Sequence, residues 1–251
     1  MSLVRWSWME EGIAQVELAD PARLNAMGEA MATDFGQVVA GLSAVRPRVV
    51  VLCGQGGSFS AGGDLAMLEA KQSRAWTQNM GDMLAFYWSF LQLLRLEVPL
   101  VAAVQGWAVG AGCCLAAACD LRLADPGARF RVPFVQMGLF PGMGTTLWFR
   151  QRMGPWAADF LLRGTTLNAE QAAQRGLVTE ISAPGEVLSL ALAQGREILR
   201  SGPEATRDLL RLLRPDPAEL QLALAREADL QARSYNREEF AQGLQRARAR
   251  T

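Results

Sequence analysis

The chain of 251 residues contains no histidine. Its absence excludes Ser-His-Asp and Cys-His catalysis, acid–base chemistry by imidazole and nearly all catalytic zinc sites. There are only four cysteines, and Cys53 stands apart from the other three, which fall within 113–119. A zinc site built from cysteine alone needs four converging thiolates, so this distribution argues against one. We therefore expect no bound metal.

The sequence also lacks an excess of charge of either sign and any long apolar run. Its 25 basic and 25 acidic residues cancel, and no cluster of Lys and Arg suggests a nucleic-acid or anionic membrane partner. The apolar runs are shorter than the roughly 20 residues that a membrane-spanning helix needs. The first twelve residues, MSLVRWSWMEEG, lack the apolar region of a signal peptide. Because the cysteines show no disulfide framework, we expect a cytoplasmic protein.

The patterns that are present predict a mixed α/β protein. Half of the residues are hydrophobic, which is enough for one core with an extension. Apolar runs and alternating segments predict strands at 12–20, 47–54, 98–104, 120–125, 128–134 and 177–182. Helical spacing is found at 28–45, at 75–96 and from 184 to the end. The methionine and aromatic stripe of 75–96, which includes Met83 and Tyr87, is interpreted as core.

Two loops rich in small residues follow predicted strands. They are GQGGSFSAGGDL (54–65) and GWAVGAGCCLAAACD (106–120). The first lacks the Gly-Lys-Ser/Thr of a phosphate-binding loop, and the second has Leu115 where a dinucleotide fingerprint requires its third glycine. What remains is a pair of strand ends that open into helices and expose free N–H groups. Aimed at one point, they would form an oxyanion hole that needs no catalytic side chain.

At these loops the chain resembles the crotonase, or enoyl-CoA hydratase/isomerase, superfamily. The resemblance follows the family's order over almost the whole chain, through DPARLNAM (20–27), FSAGGDL (59–65), AAVQGWAVGAGCCLAAACDLRLA (102–124), ARFRVPFVQMGLFPGMGTT (128–146), LNAEQAAQRGLVTEI (167–181) and SYNREEFAQGL (234–244). It implies a crotonase-like ββα superhelix core at 1–187 that binds acyl-CoA. It further implies a C-terminal α-helical oligomerisation segment at 188–251, which forms a homotrimer or a dimer of trimers. No cofactor is implied, because coenzyme A is part of the substrate.

The resemblance also assigns roles to individual residues. It places the two backbone donors that polarise the thioester carbonyl at Ala61 and Ala111. It places contacts with coenzyme A at Arg23, Leu24, Gly62, Gly63 and Asp64. A helix N-cap is at least as good an interpretation of Asp64.

The acid–base residues of the family are missing. Its two hydratase glutamates align with Cys114 and Phe134, and the acid position of some isomerases holds Gly142. These three residues would then line the substrate site. Hydration needs a proton donor and a base, each worth ~10²–10⁴-fold, so an ordinary hydratase is not expected. Cys113 and Cys114 have no basic neighbour in sequence and are interpreted as small hydrophobic residues.

Three functions remain open. The first, favoured by analogy with the family, is isomerisation or another non-hydratase reaction of an acyl-CoA, with an acid such as Glu69 or Asp82, or one from a neighbouring subunit. The second is decarboxylation of a malonyl-type thioester by the oxyanion hole alone. The third is acyl-CoA binding without catalysis. An apolar lining that includes Phe134, Met137 and Trp107 would suit a hydrophobic acyl chain.

Overall fold

The computed structural model describes residues 2–248. Its strands are β1 (Val4–Glu10), β2 (Ile13–Leu18), β3 (Val49–Gly54), β4 (Leu100–Val104), β5 (Trp107–Val109), β6 (Leu121–Ala124), β7 (Arg129–Arg131), β8 (Thr166–Asn168) and β9 (Glu180–Ile181). Its helices are α1 (Glu29–Val45), α2 (Leu65–Ala70), α3 (Trp76–Leu91), α4 (Ala111–Ala118), α5 (Thr145–Met153), α6 (Trp156–Arg163), α7 (Ala169–Gln174), α8 (Val187–Leu199), α9 (Pro203–Leu213), α10 (Pro217–Tyr235) and α11 (Glu238–Arg248).

The main sheet has six strands in the order β1-β2-β3-β4-β6-β9. Its first pair is antiparallel, and every later pair is parallel. All residues of β3 and β4 are buried, as expected of central strands that are covered on both faces. The predicted α/β class is confirmed.

A second sheet of three strands, in the order β5-β7-β8, lies beside the first. Two isolated parallel bridges, Met27 with Gly63 and Ser60 with Ala108, connect the loop after β3 to its neighbours. They place the 54–65 loop alongside the segment that leads into α4. The fold therefore brings together the two loops that the sequence analysis singled out.

The C-terminal segment packs on the rest of the same chain. The predicted boundary between 187 and 188 falls in the first turn of α8, which covers β3 and β4. Helix α10 packs along α3, and α11 packs against the short turn at Val135–Met137. Within α9, Leu210 is buried, whereas Leu209, Leu212 and Leu213 are 56, 85 and 65% exposed. One apolar face of α9 is therefore uncovered in the single chain.

Two further properties concern the described residues. None of the helices in this part of the chain combines the length and apolar character needed to cross a bilayer. All four cysteines lie within residues 2–248, and each is buried and forms no disulfide bond.

Candidate active site

A cavity of about 850 Å³ opens between the two loops and the C-terminal helices. Its lining runs from exposed residues such as Leu24 and Trp107 to fully buried ones such as Tyr87 and Gln231. Most of the predicted site residues line it, namely Arg23, Leu24, Ala61, Gly63, Asp64, Ala111, Phe134 and Gly142. Met137 and Trp107 also line it, in agreement with the predicted apolar lining. Gly62 and Cys114 do not.

Gly62 holds the two loops together. Its φ of +88° lies in the region that favours glycine, and an added Cβ would collide with the Val109 carbonyl oxygen. The same Cβ position is 3.4 Å from the Ala111 nitrogen. Gly62 was predicted to contact substrate, but it serves to let the first loop approach the start of α4.

One of the two backbone N–H groups that were predicted to bind the thioester carbonyl is already bonded within the protein. The Ala61 N–H donates to the Leu24 carbonyl oxygen at 2.8 Å, so the prediction of Ala61 as a free donor is wrong. In the neighbouring β-bridge, the Met27 N–H donates to the Gly62 carbonyl oxygen. The Asp64 N–H donates to the Met27 carbonyl oxygen. No acceptor in residues 2–248 takes the Gly63 N–H.

Ala111 is the first residue of α4, and its N–H is one of the donors that a helix leaves unpaired in its first turn. The first intrahelical bond there is from the Cys114 N–H to the Gly110 oxygen, at 3.0 Å. Gly63 and Ala111 both line the cavity. Gly63 and Ala111 are therefore two lining residues whose amides have no acceptor among residues 2–248.

Asp64 and two arginines form the outer part of the cavity. Asp64 Oδ1 accepts from the Met67 N–H at 2.8 Å, which confirms the N-cap interpretation. The other oxygen, Oδ2, pairs with Arg23, and Arg248 pairs with Glu69. Both arginine side chains are more than half exposed. Positive charge is thus available where a ligand would enter.

Cys114 lies behind the cavity wall, which corrects its predicted place in the lining. It is fully buried, and its Sγ is 3.0 Å from Thr145 Oγ1. Burial raises the pKa of this thiol to about 12, although the Thr145 contact opposes the shift. Burial also raises the pKa of Cys113 well above its usual range. Both thiols stay protonated at neutral pH and act as small apolar residues, as predicted.

The inner end of the cavity contains a tyrosine that the sequence analysis assigned to the core. A Cβ at Gly142 would collide with the Tyr87 hydroxyl and lie 3.0 Å from Gln231 Nε2. Tyr87 Oη donates to Gln231 Oε1 at 2.7 Å, and Gln231 Nε2 donates to the Phe140 oxygen at 2.8 Å. Burial, followed by the nearby Tyr235 and Glu227, raises the pKa of Tyr87 well above its usual range. A protonated phenol therefore stands beside the position where some relatives carry an acid.

Carboxylates are scarce around this cavity. Asp64 is the one carboxylate among the described lining residues. Asp82 lies elsewhere, 2.8 Å from both Lys71 and Arg74, and the Lys71 hydrogen bond lowers its pKa. Glu69 is held by Arg248 and is likewise absent from the lining. Neither of the two acids that were suggested from the sequence, Glu69 and Asp82, therefore lines the cavity.

Glu227 is a buried carboxylate that the sequence analysis did not single out. It accepts from the Gly144 N–H at 2.6 Å and from the Thr146 N–H at 2.8 Å, across the start of α5. The Thr146 hydroxyl adds a further bond at 2.7 Å. Burial raises its pKa, although these donors oppose the shift. Glu227 fixes the start of α5 and does not line the cavity.

Fold and paired loops together define a member of the crotonase superfamily. The family model described as enoyl-CoA hydratase/isomerase matches residues 9–249. The 2,3-dehydroadipyl-CoA hydratase of Escherichia coli is 32% identical, with 88% of this chain and 86% of that protein covered. The crotonyl-CoA hydratase of Syntrophomonas wolfei is also 32% identical, over 79% and 76% of the two chains. The structure of Pseudomonas aeruginosa OdaA has a TM-score of 0.85 at 28% identity, covering 98% of this chain and 99% of that one. The chain belongs to the enoyl-CoA hydratase/isomerase family, whose enzymes act on acyl-CoA thioesters.

Proposed function

We propose that this enzyme binds an acyl-CoA thioester with its carbonyl oxygen between the N–H groups of Gly63 and Ala111, and that it catalyses a reaction other than hydration. The observation that carries the proposal is the combination of two free amides on one cavity wall with the absence of a carboxylate among the described residues at its inner end. Ala111 adds the positive end of the α4 dipole. These groups stabilise the negative charge that develops on the thioester oxygen in an enolate.

Coenzyme A is proposed to enter past Arg23 and Leu24. The guanidinium groups of Arg23 and Arg248 would meet its phosphates, partly exchanging their carboxylate partners for the ligand. The acyl chain would pass Phe134 and Met137, whose apolar surface favours a hydrocarbon chain.

Among non-hydratase reactions, decarboxylation of a malonyl-type thioester fits the cavity best. Isomerisation of a double bond requires a base that removes a proton from carbon. Because burial raises its pKa, Tyr87 stays protonated and supplies no tyrosinate as a base, and Asp64 is engaged by Arg23 and the start of α2. Loss of carbon dioxide needs no base, because the breaking carbon–carbon bond itself leaves its electron pair in the enolate. Isomerisation remains the second candidate, because the family is that of enoyl-CoA hydratases and isomerases.

The test is a comparison of substrates under identical conditions. Crotonyl-CoA, a 3-enoyl-CoA and methylmalonyl-CoA are incubated with the enzyme, and the products are separated by mass. We expect loss of carbon dioxide from methylmalonyl-CoA and slow or no hydration of crotonyl-CoA. Rapid crotonyl-CoA hydration would refute the proposal, and saturable binding without any turnover would favour a binding protein.

We also propose a homotrimer or a dimer of trimers in the cytoplasm. The uncovered leucines of α9 support association, because exposed apolar faces of this kind are usually buried against a partner. The four unpaired thiols support a reducing compartment.

A further inference from the structure

Tyr87 is the feature of the cavity that the proposed oxyanion hole does not use. It lines the cavity while being almost fully buried, and its hydroxyl is next to Gly142. Of the described residues that line the cavity, it alone carries a hydroxyl, and that hydroxyl lies beside Gly142 of the same lining. An enolate left after decarboxylation needs one proton at its α-carbon. A donor in the cavity would deliver that proton to one face of the enolate.

We propose that Tyr87 is a catalytic residue that protonates the α-carbon of the enolate, with Gln231 as its positioning residue. This inference rests on the proposed function. Cleavage of the bond to the carboxylate releases carbon dioxide and leaves the electron pair on the α-carbon and thioester oxygen. The α-carbon forms a bond to the Tyr87 proton, and the O–H electron pair stays on Tyr87 as tyrosinate. Water then returns a proton to the tyrosinate and leaves as hydroxide.

Hydrogen bonds around Gln231 hold the Tyr87 hydroxyl in place. In the free enzyme the Tyr87 hydrogen points to Gln231 Oε1, and the Tyr235 hydroxyl lies 3.3 Å from the same oxygen. Gln231 Nε2 donates to the Phe140 oxygen, which fixes the amide with Oε1 towards the Tyr87 hydroxyl.

The chain provides a matched control, because Tyr87 and Tyr235 are its two tyrosines. Both are buried, and both hydroxyls contact Gln231 Oε1, but Tyr235 does not line the cavity. Tyr87→Phe and Tyr235→Phe therefore remove the same atom from the same network. Only Tyr87→Phe removes the hydroxyl of a residue that lines the cavity.

The experiment follows decarboxylation of methylmalonyl-CoA in D₂O and determines on which face of the product's α-carbon deuterium appears. We expect one face in the wild type and in Tyr235→Phe. Tyr87→Phe should give a near-equal mixture and form product more slowly, on the order of 10²-fold. Deuterium on a single face in Tyr87→Phe would overturn the inference. A loss of face selectivity in Tyr235→Phe as large as that in Tyr87→Phe would overturn it as well.

A binding measurement separates this inference from the proposed function. Acetyl-CoA is titrated into protein carrying ¹³C at the tyrosine Cζ, and the two resonances are assigned with the two variants. We expect saturable binding that shifts the Tyr87 resonance more than that of Tyr235. No binding in the wild type would defeat the proposed function itself. Binding that leaves the Tyr87 resonance unmoved would overturn the Tyr87 inference alone. Binding without release of carbon dioxide from methylmalonyl-CoA would defeat the proposed decarboxylation, and this inference with it.

Discussion

Replacement of Ala111 by proline removes one donor of the proposed oxyanion hole with little other change. Ala111 is the first residue of α4, where proline is well tolerated because the N–H makes no intrahelical bond. The preceding Gly110 has ψ of −119°, outside the α region that a following proline disfavours. The substitution therefore deletes a single hydrogen-bond donor from the cavity wall while allowing α4 to form.

The expected magnitude follows from the chemistry of such donors. Loss of one oxyanion donor costs about 2.7–4 kcal/mol in the transition state, which is about 10²–10³-fold in kcat. Acetyl-CoA affinity should change much less, because the ground-state carbonyl carries less negative charge than the enolate. The assay compares turnover of methylmalonyl-CoA with calorimetric binding of acetyl-CoA, after circular dichroism has shown an intact fold.

Ala111→Gly is the matched control, since it changes the side chain and keeps the N–H. We expect turnover within a few-fold of the wild type. If Ala111→Pro is folded and retains full turnover, or if Ala111→Gly loses as much, the assignment of this donor is refuted.

The remaining predictions concern a thiol, a buried acid and assembly. Iodoacetamide at pH 8 should leave Cys114 unmodified in the folded protein, because burial raises its pKa to about 12; mass spectrometry showing alkylation before urea is added would contradict this. Because burial raises the folded pKa of Glu227 above its unfolded value, its contribution to stability is greatest at low pH. That contribution should decline by about 1.4 kcal/mol per pH unit between the unfolded and the folded pKa, and level off above the folded pKa. The free energy of unfolding in urea, measured for the wild type and Glu227→Gln at a series of pH values, tests this. A difference in favour of the wild type that grows as the pH rises would argue against it. Light scattering should give a trimer or hexamer for the wild type and a smaller species for Leu212→Glu with Leu213→Glu; a wild-type mass of 27.3 kDa at micromolar concentration would exclude the proposed assembly.

Sequence patterns predicted the central fold well, because buried strands are continuous apolar runs. The segments that became β3 and β4 are of this kind. Strand β1 was missed, since its sequence VRWSWME combines exposed aromatic and charged residues and lies at the sheet edge. The short β5 was missed because it has only three residues.

The candidate site was predicted in outline from the two loops, but its details depend on distant contacts. The engagement of the Ala61 amide is set by Leu24, which lies in another loop. Tyr87 has the helical spacing of a core residue, and only the fold brings Gln231 of α10 to its hydroxyl. Cys114 faces Thr145 because its side chain leaves α4 in that direction. The position of Cys114 in the motif does not by itself specify the direction. Contacts between elements far apart in the chain leave no local signal in the sequence.

The most direct test of the proposed oxyanion hole is the infrared stretch of a bound thioester carbonyl. Acetyl-CoA labelled with ¹³C at that carbonyl is bound to the wild type, to Ala111→Gly and to Ala111→Pro, and each difference spectrum is compared with that of the free ligand. Two donors at Gly63 and Ala111 predict a shift to lower frequency in the wild type and in Ala111→Gly, and a smaller shift in Ala111→Pro. A bound carbonyl that absorbs at the same frequency as the free thioester in water, or a shift that Ala111→Pro leaves unchanged, would contradict the account.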